Sequence, residues 1–134
     1  MSVGFPGPPP KNPLIGRQAV IVDDDRSVLS LFVRAFREAG CDVVAFSDFL
    51  DAKDHLSHST PDILVTDLRL GAFNGLHLVA LSHLREANVT AIVLTGHDDP
   101  VLEREATAAH ALYVVKPVTP EHLLEIVGKA RWGN

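Results

Sequence analysis

The chain has 134 residues, enough for one domain and too few for two ordinary ones, and 46% of them are hydrophobic, which excludes global disorder. The formal net charge of −5 gives no general reason to expect nucleic acid or an anionic membrane as partner. No apolar run approaches the roughly 20 residues of a membrane span, and the N-terminus lacks the apolar stretch of a signal peptide. Cys41 is the only cysteine, so no internal disulfide can form, which fits a reducing compartment and a buried structural thiol. These features predict a soluble, cytoplasmic protein.

In chain order, residues 1–17 come first. Pro6, Pro8, Pro9, Pro10 and Pro13 stand among Gly4 and Gly7, with Lys11 and Arg17 and no acid. Proline removes backbone donors and glycine adds chain entropy, so this stretch is predicted to be a disordered or polyproline-like tail. A proline-motif ligand is the alternative. From residue 18 the chain alternates between two periods. Ala19–Val22 is a short apolar run rich in β-branched residues, suited to a strand buried on both faces of a parallel sheet. Val28, Leu29, Phe32, Val33, Phe36 and Ala39 then recur at helical steps, with Gly40 as a stop. Val43–Phe46 and Ile63–Thr66 repeat the strand pattern, and Leu76, Val79, Ala80, His83 and Leu84 repeat the helical one. Ala91–Leu94 and Leu112–Val115 are the last two apolar runs. Each is followed by a capping residue before a proline, Asp99-Pro100 and Thr119-Pro120, the second opening a helix that ends near Trp132. The order βαβαβαβαβα with right-handed crossovers gives a five-stranded parallel sheet covered by helices on both faces, a three-layer α/β/α sandwich.

Ligands of such open sheets sit beyond the carboxyl ends of the strands. The first strand runs into Asp23, Asp24 and Asp25, the third ends at Asp67, the fourth at Thr95 and the fifth at Lys116-Pro117. Clustered carboxylates repel, and a hard divalent cation such as Mg²⁺ relieves that cost while keeping waters for a phosphate to displace. A carboxylate beside it can attack phosphorus and form an acyl phosphate, with the metal and an ammonium offsetting charge on the transferring oxygens.

Val22-Asp23-Asp24, Asp62-Ile63-Leu64-Val65-Thr66-Asp67, Asn74-Gly75, Leu94-Thr95 and Lys116-Pro117, in this order and at this spacing, resemble the receiver family of two-component response regulators over residues 18–132. The resemblance implies a CheY-like, flavodoxin-like (βα)5 fold with strand order 2-1-3-4-5. It implies Asp67 as phosphoacceptor, Asp24 as direct Mg²⁺ ligand, Asp23 as orienter of metal-bound water and Arg69 as donor of a backbone carbonyl to the metal. Thr95 and Lys116 would contact the phosphoryl group, Tyr113 would be the switch aromatic, and Arg69 and His97 would tune hydrolysis of the acyl phosphate. The implied partners are a sensor histidine kinase or a histidine phosphotransfer protein. The implied output is a homodimer or a downstream protein engaged through the fourth helix, the fifth strand and the fifth helix. No DNA-binding helix-turn-helix pattern follows, so direct nucleic-acid contact is not expected.

Two departures carry expectations of their own. Leu70-Gly71 stands where the family usually has Met-Pro, which predicts a looser loop after Asp67. Ala108-Ala109-His110-Ala111 lacks the usual glycine before the fifth strand, which leaves the end of the fourth helix open. A competing assignment is a small phosphatase resembling the haloacid dehalogenase family, with Asp23 as nucleophile, Asp25 as acid/base and Thr95 and Lys116 as later motifs. It leaves Asp67 without a task. Asp25 otherwise reads as part of a solvated helix start. His55 and His58 lie three apart on a helix and lack a third ligand, so they read as a solvated face.

Overall fold

The computed structural model describes residues 14–131. Five strands form one parallel sheet: β1 (Gln18–Val22), β2 (Asp42–Phe46), β3 (Ile63–Asp67), β6 (Thr90–Thr95) and β7 (Ala111–Val115). A two-stranded antiparallel hairpin, β4 (Arg69–Leu70) and β5 (Phe73–Asn74), follows β3 directly. The helices are α1 (Arg26–Glu38), α2 (Phe49–His58), α3 (Leu76–Arg85), α4 (Pro100–Ala108) and α5 (Pro120–Arg131). The sheet order is β2-β1-β3-β6-β7, which is the expected 2-1-3-4-5 once the hairpin is set aside.

Side-chain alternation along the strands divides the core. Ala19, Ile21, Ile63, Val65, Ile92 and Leu94 face Leu29, Phe32 and Phe36 of α1 and Leu123 and Val127 of α5. Val20, Val22, Leu64, Ala91 and Val93 face α2, α3 and α4. Each residue of β3 is buried, as a central strand covered on both faces must be. The edge strand β2 has no fully buried residue.

Local chemistry sets the helix ends. The Asp25 carboxylate accepts from the backbone N–H of Ser27 at 3.0 Å and Val28 at 3.3 Å, so the third acid of the Asp23-Asp24-Asp25 run caps α1. Asp99 accepts from the Val101 N–H at 2.8 Å, ahead of Pro100 in the first turn of α4. Past α4, His110 takes φ 60°, the left-handed conformation usually given to glycine. The missing glycine therefore leaves the helix end in place, at the cost of a strained histidine.

Two expectations need correction. The tail does not extend to residue 17. Leu14 is 4% exposed and packs in the α1/α5 core, the Gly16 N–H donates to the Gly40 carbonyl at 2.9 Å, and the Cys41 thiol lies 3.5 Å from the Leu14 carbonyl. An apolar side chain with a place in the core outweighs its polar flanks, so the ordered domain includes residues 14–17. Residues 1–13 of the expected tail, and Trp132, lie outside the described residues. Nor is the loop after Asp67 loose: Gly71 at φ 62° turns it into the β4–β5 hairpin, and Leu70 is buried.

Candidate functional site

The sheet delivers its chemistry to one edge. Asp23 and Asp24 leave β1, Asp67 ends β3, Thr95 ends β6 and Lys116 follows β7. One carboxylate oxygen from each of Asp23, Asp24 and Asp67 falls within 4.8 Å of the others, and among the described residues this is the only cluster of three groups able to share a metal. The Lys116 ammonium bridges two of them, 3.0 Å from Asp23 Oδ2 and 2.8 Å from Asp67 Oδ1. Asp23 is 1% exposed, and its other oxygen accepts from the Asp25 N–H at 2.9 Å. Asp24 is exposed.

Burial at the strand end, together with the neighbouring Asp23 carboxylate, pushes Asp67 from its ordinary 3.8 up to about 7, against the pull of Lys116. Burial alone would lower Lys116, but its two carboxylate partners outweigh that and raise it. One cation thus serves two buried acids with a third beside them. That surplus of hard oxygen donors, one exposed to water, fits a divalent cation with an open coordination sphere.

The surroundings of Asp67 are held by close backbone packing. The Gly75 N–H donates to the Leu68 carbonyl at 2.7 Å, and a Cβ at Gly75 would overlap the Asp67 carbonyl oxygen. Asn74 Oδ1 accepts from the Leu76 N–H at 2.8 Å, starting α3. The Asn74-Gly75 pair therefore lets α3 begin against the backbone of Asp67.

A cleft of about 390 Å³ opens over Asp67, lined by Arg69, Thr95, Gly96, His97, Leu102 and Lys116 among others. The Thr95 hydroxyl accepts from the His97 N–H at 3.2 Å and lies 3.1 Å from the His97 carbonyl, so it is turned into the β6–α4 loop. Tyr113 approaches the same loop from below. Its hydroxyl accepts from the Asp99 N–H at 2.9 Å and lies 3.2 Å from Asp98 Oδ1, while its half-buried ring packs against the core. The structure thus gathers Asp67, Arg69, Thr95, His97 and Lys116 around one cleft, with Asp23 and Asp24 beside Asp67 and Tyr113 bonded to the loop that borders it. The bonds from Tyr113 to Asp98 and Asp99 were not readable in the sequence, because they join positions 14 and 15 residues apart through a loop. His55 and His58 lie elsewhere: His58 Nδ1 is 2.8 Å from the Asp54 carbonyl, and His55 packs on Phe46 with ring centroids 5.2 Å apart.

Comparison with known proteins agrees with this geometry. The family described as response regulator receiver domain matches residues 19–128. The DNA-binding transcriptional regulator NtrC of Klebsiella pneumoniae is 31% identical over 113 residues, 84% of this chain and 24% of that protein. The Regulator of RpoS of Escherichia coli K12 is 35% identical over 95 residues, 71% of this chain and 25% of that protein. The chain thus spans about a quarter of these curated relatives. A CheY-like receiver domain protein from Methanospirillum hungatei superposes with TM-score 0.80 at 22% identity, over 86% of this chain and 93% of the other. The BeF3-activated DrrB receiver domain gives 0.75 at 25% identity, over 86% and 97%. None of these matches supports the dehalogenase-like phosphatase, and both oxygens of its would-be nucleophile, Asp23, are already engaged.

Proposed function

The chain belongs to the response regulator receiver domain family of two-component signalling, and from that premise we propose that Asp67 accepts a phosphoryl group from a phosphohistidine of a sensor kinase or phosphotransfer protein. The observation that carries this reading is the position of Asp67: buried at the end of the central strand, between a second acid and Lys116, which touches both.

In the proposed reaction an Asp67 carboxylate oxygen attacks phosphorus in line with the departing imidazole nitrogen. The P–N bond breaks as the acyl–phosphate bond forms. Asp23, Asp24, Asp67 and the Arg69 carbonyl would hold Mg²⁺, which neutralises charge on the phosphoryl oxygens when bound. Lys116, already 2.8 Å from Asp67, orients the carboxylate and then pairs with the incoming oxygens. Thr95 leaves its turn with His97 to donate to a phosphoryl oxygen. Because His97 and the neighbouring Asp98 and Asp99 are tied to Tyr113, that motion is felt at the start of α4. Arg69 and His97 line the cleft and screen the acyl phosphate from water.

The signal leaves through α4, β7 and α5, where Val101, Leu112 and Val115 are exposed apolar side chains available to a second copy or a downstream protein. No helix among the described residues is long and apolar enough to cross a membrane, and we place the protein in the cytoplasm with its kinase. The test is incubation with an acyl phosphate. Phosphorylation should require Mg²⁺ and vanish in Asp67→Asn; a fully phosphorylated Asp67→Asn protein would overturn the assignment.

A further inference from the structure

The histidine that follows α4 carries a side chain its backbone does not call for. His110 takes φ 60°, an angle glycine adopts freely, so what histidine adds there is its imidazole. That exposed ring stands beside a second one, the half-buried His83 in the last turn of α3, with centroids 6.4 Å apart and planes 74° from parallel. Val89 and His110 directly precede β6 and β7, so the pair sits at the N-terminal edge of the sheet, opposite to the edge that carries Asp67.

The hydrogen bonding of His83 leaves one of its nitrogens open. Nε2 lies 3.2 Å from the Val89 carbonyl. A carbonyl only accepts, so Nε2 carries the proton and the neutral ring keeps the Nδ1 lone pair. One ring nitrogen donating to a backbone carbonyl while the other stays a free base is the arrangement that orients a metal-binding histidine. An ion bonded to one nitrogen of each ring at about 2.0–2.1 Å holds imidazole centroids roughly 5–6 Å apart, so a small turn of the exposed His110 ring closes the distance. Imidazole donors suit a borderline transition ion such as Zn²⁺ rather than Mg²⁺. Both rings also stand at the C-terminal ends of helices, where the peptide dipoles favour a cation.

We propose that His83 and His110 together bind a divalent transition ion such as Zn²⁺, with water completing its coordination. The ion ties the end of α4 to the end of α3, at a site separate from the acidic cluster of Asp23, Asp24 and Asp67.

The test is a Zn²⁺ titration of the full chain in excess Mg²⁺, followed by NMR through the ring proton and nitrogen signals of each histidine. Those of His83 and His110 should move together along one saturating curve, with the metal-bound shift at Nδ1 of His83. His110→Gly relieves the left-handed angle and keeps the fold. It should weaken the response at His83 by about tenfold or more, because one imidazole is left without its chelating partner. His83→Gln should do the same to the response at His110. The amides of the sheet should keep their positions in both variants. Separate curves for the two rings, or a response at His83 that survives His110→Gly, would overturn the proposal. So would shifts confined to His55, His58 and the acidic cluster, which would leave His83 and His110 as two rings in ordinary contact.

Discussion

Replacing Asp67 by asparagine should stabilise the metal-free protein, and the gain should depend on pH. The folded-state pKa of about 7 lies above the ordinary 3.8, so the folded protein holds a proton that the unfolded chain releases. Below 3.8 the group costs the fold nothing. As pH rises from 3.8 to about 7 the cost grows, and above that it is constant. At about 1.4 kcal/mol per tenfold, the rise corresponds to about 4 kcal/mol. Water at the open mouth of the cleft screens part of it, leaving about 2 kcal/mol. Asparagine has nearly the same shape, carries no charge and leaves the Lys116–Asp23 pair in place. For a domain of this length the gain is about 8 °C in Tm at pH of about 8 in the presence of chelator, shrinking toward zero near pH 4. Adding Mg²⁺ should close the gap by stabilising only the native protein. Thermal unfolding of both proteins across this range is the assay. An Asp67→Asn protein no more stable than the native one at the alkaline end, or a gap that ignores pH, would refute the reasoning.

Gly75→Ala should cost about 1–3 kcal/mol by overpacking against the Asp67 carbonyl, read as a lower unfolding midpoint together with slower phosphorylation. His110→Gly should stabilise the fold by up to about 1 kcal/mol by relieving the left-handed strain, read as a higher denaturant midpoint; an unchanged midpoint would mean that the strain is absent. Tyr113→Phe removes the hydroxyl bonded to the Asp99 N–H, at about 1 kcal/mol, and should speed amide exchange at Asp99 while Asp67 still takes up phosphate. Arg69→Ala and His97→Ala should each shorten the lifetime of the acyl phosphate, measured by its decay after donor removal; unchanged decay would remove their role.

The fold was legible because five β-branched runs and the helical periods between them encode a buried parallel sheet without help from distant contacts. The placement of Asp23, Asp67, Thr95 and Lys116 followed from the rule that strands of one direction deliver their ends to one edge. Features that depend on partners far apart in sequence were less legible. Leu14 looked like tail because its burial depends on α1, α5 and Cys41. The hairpin after Asp67 was not legible because strands of two residues leave no periodic pattern, and Gly71 alone supplies the turn. His110, between α4 and β7, takes a left-handed conformation that its side chain disfavours and that no residue type there announces.

The identity of the carboxylate that carries the phosphoryl group is the central question. Treating the protein with acyl phosphate and Mg²⁺, reducing the acyl phosphate with borohydride and sequencing the peptides by mass spectrometry locates it directly. Reduction confined to position 67 is the expected result. Reduction at Asp23 or Asp24, or none at all in protein that had taken up phosphate, would contradict it.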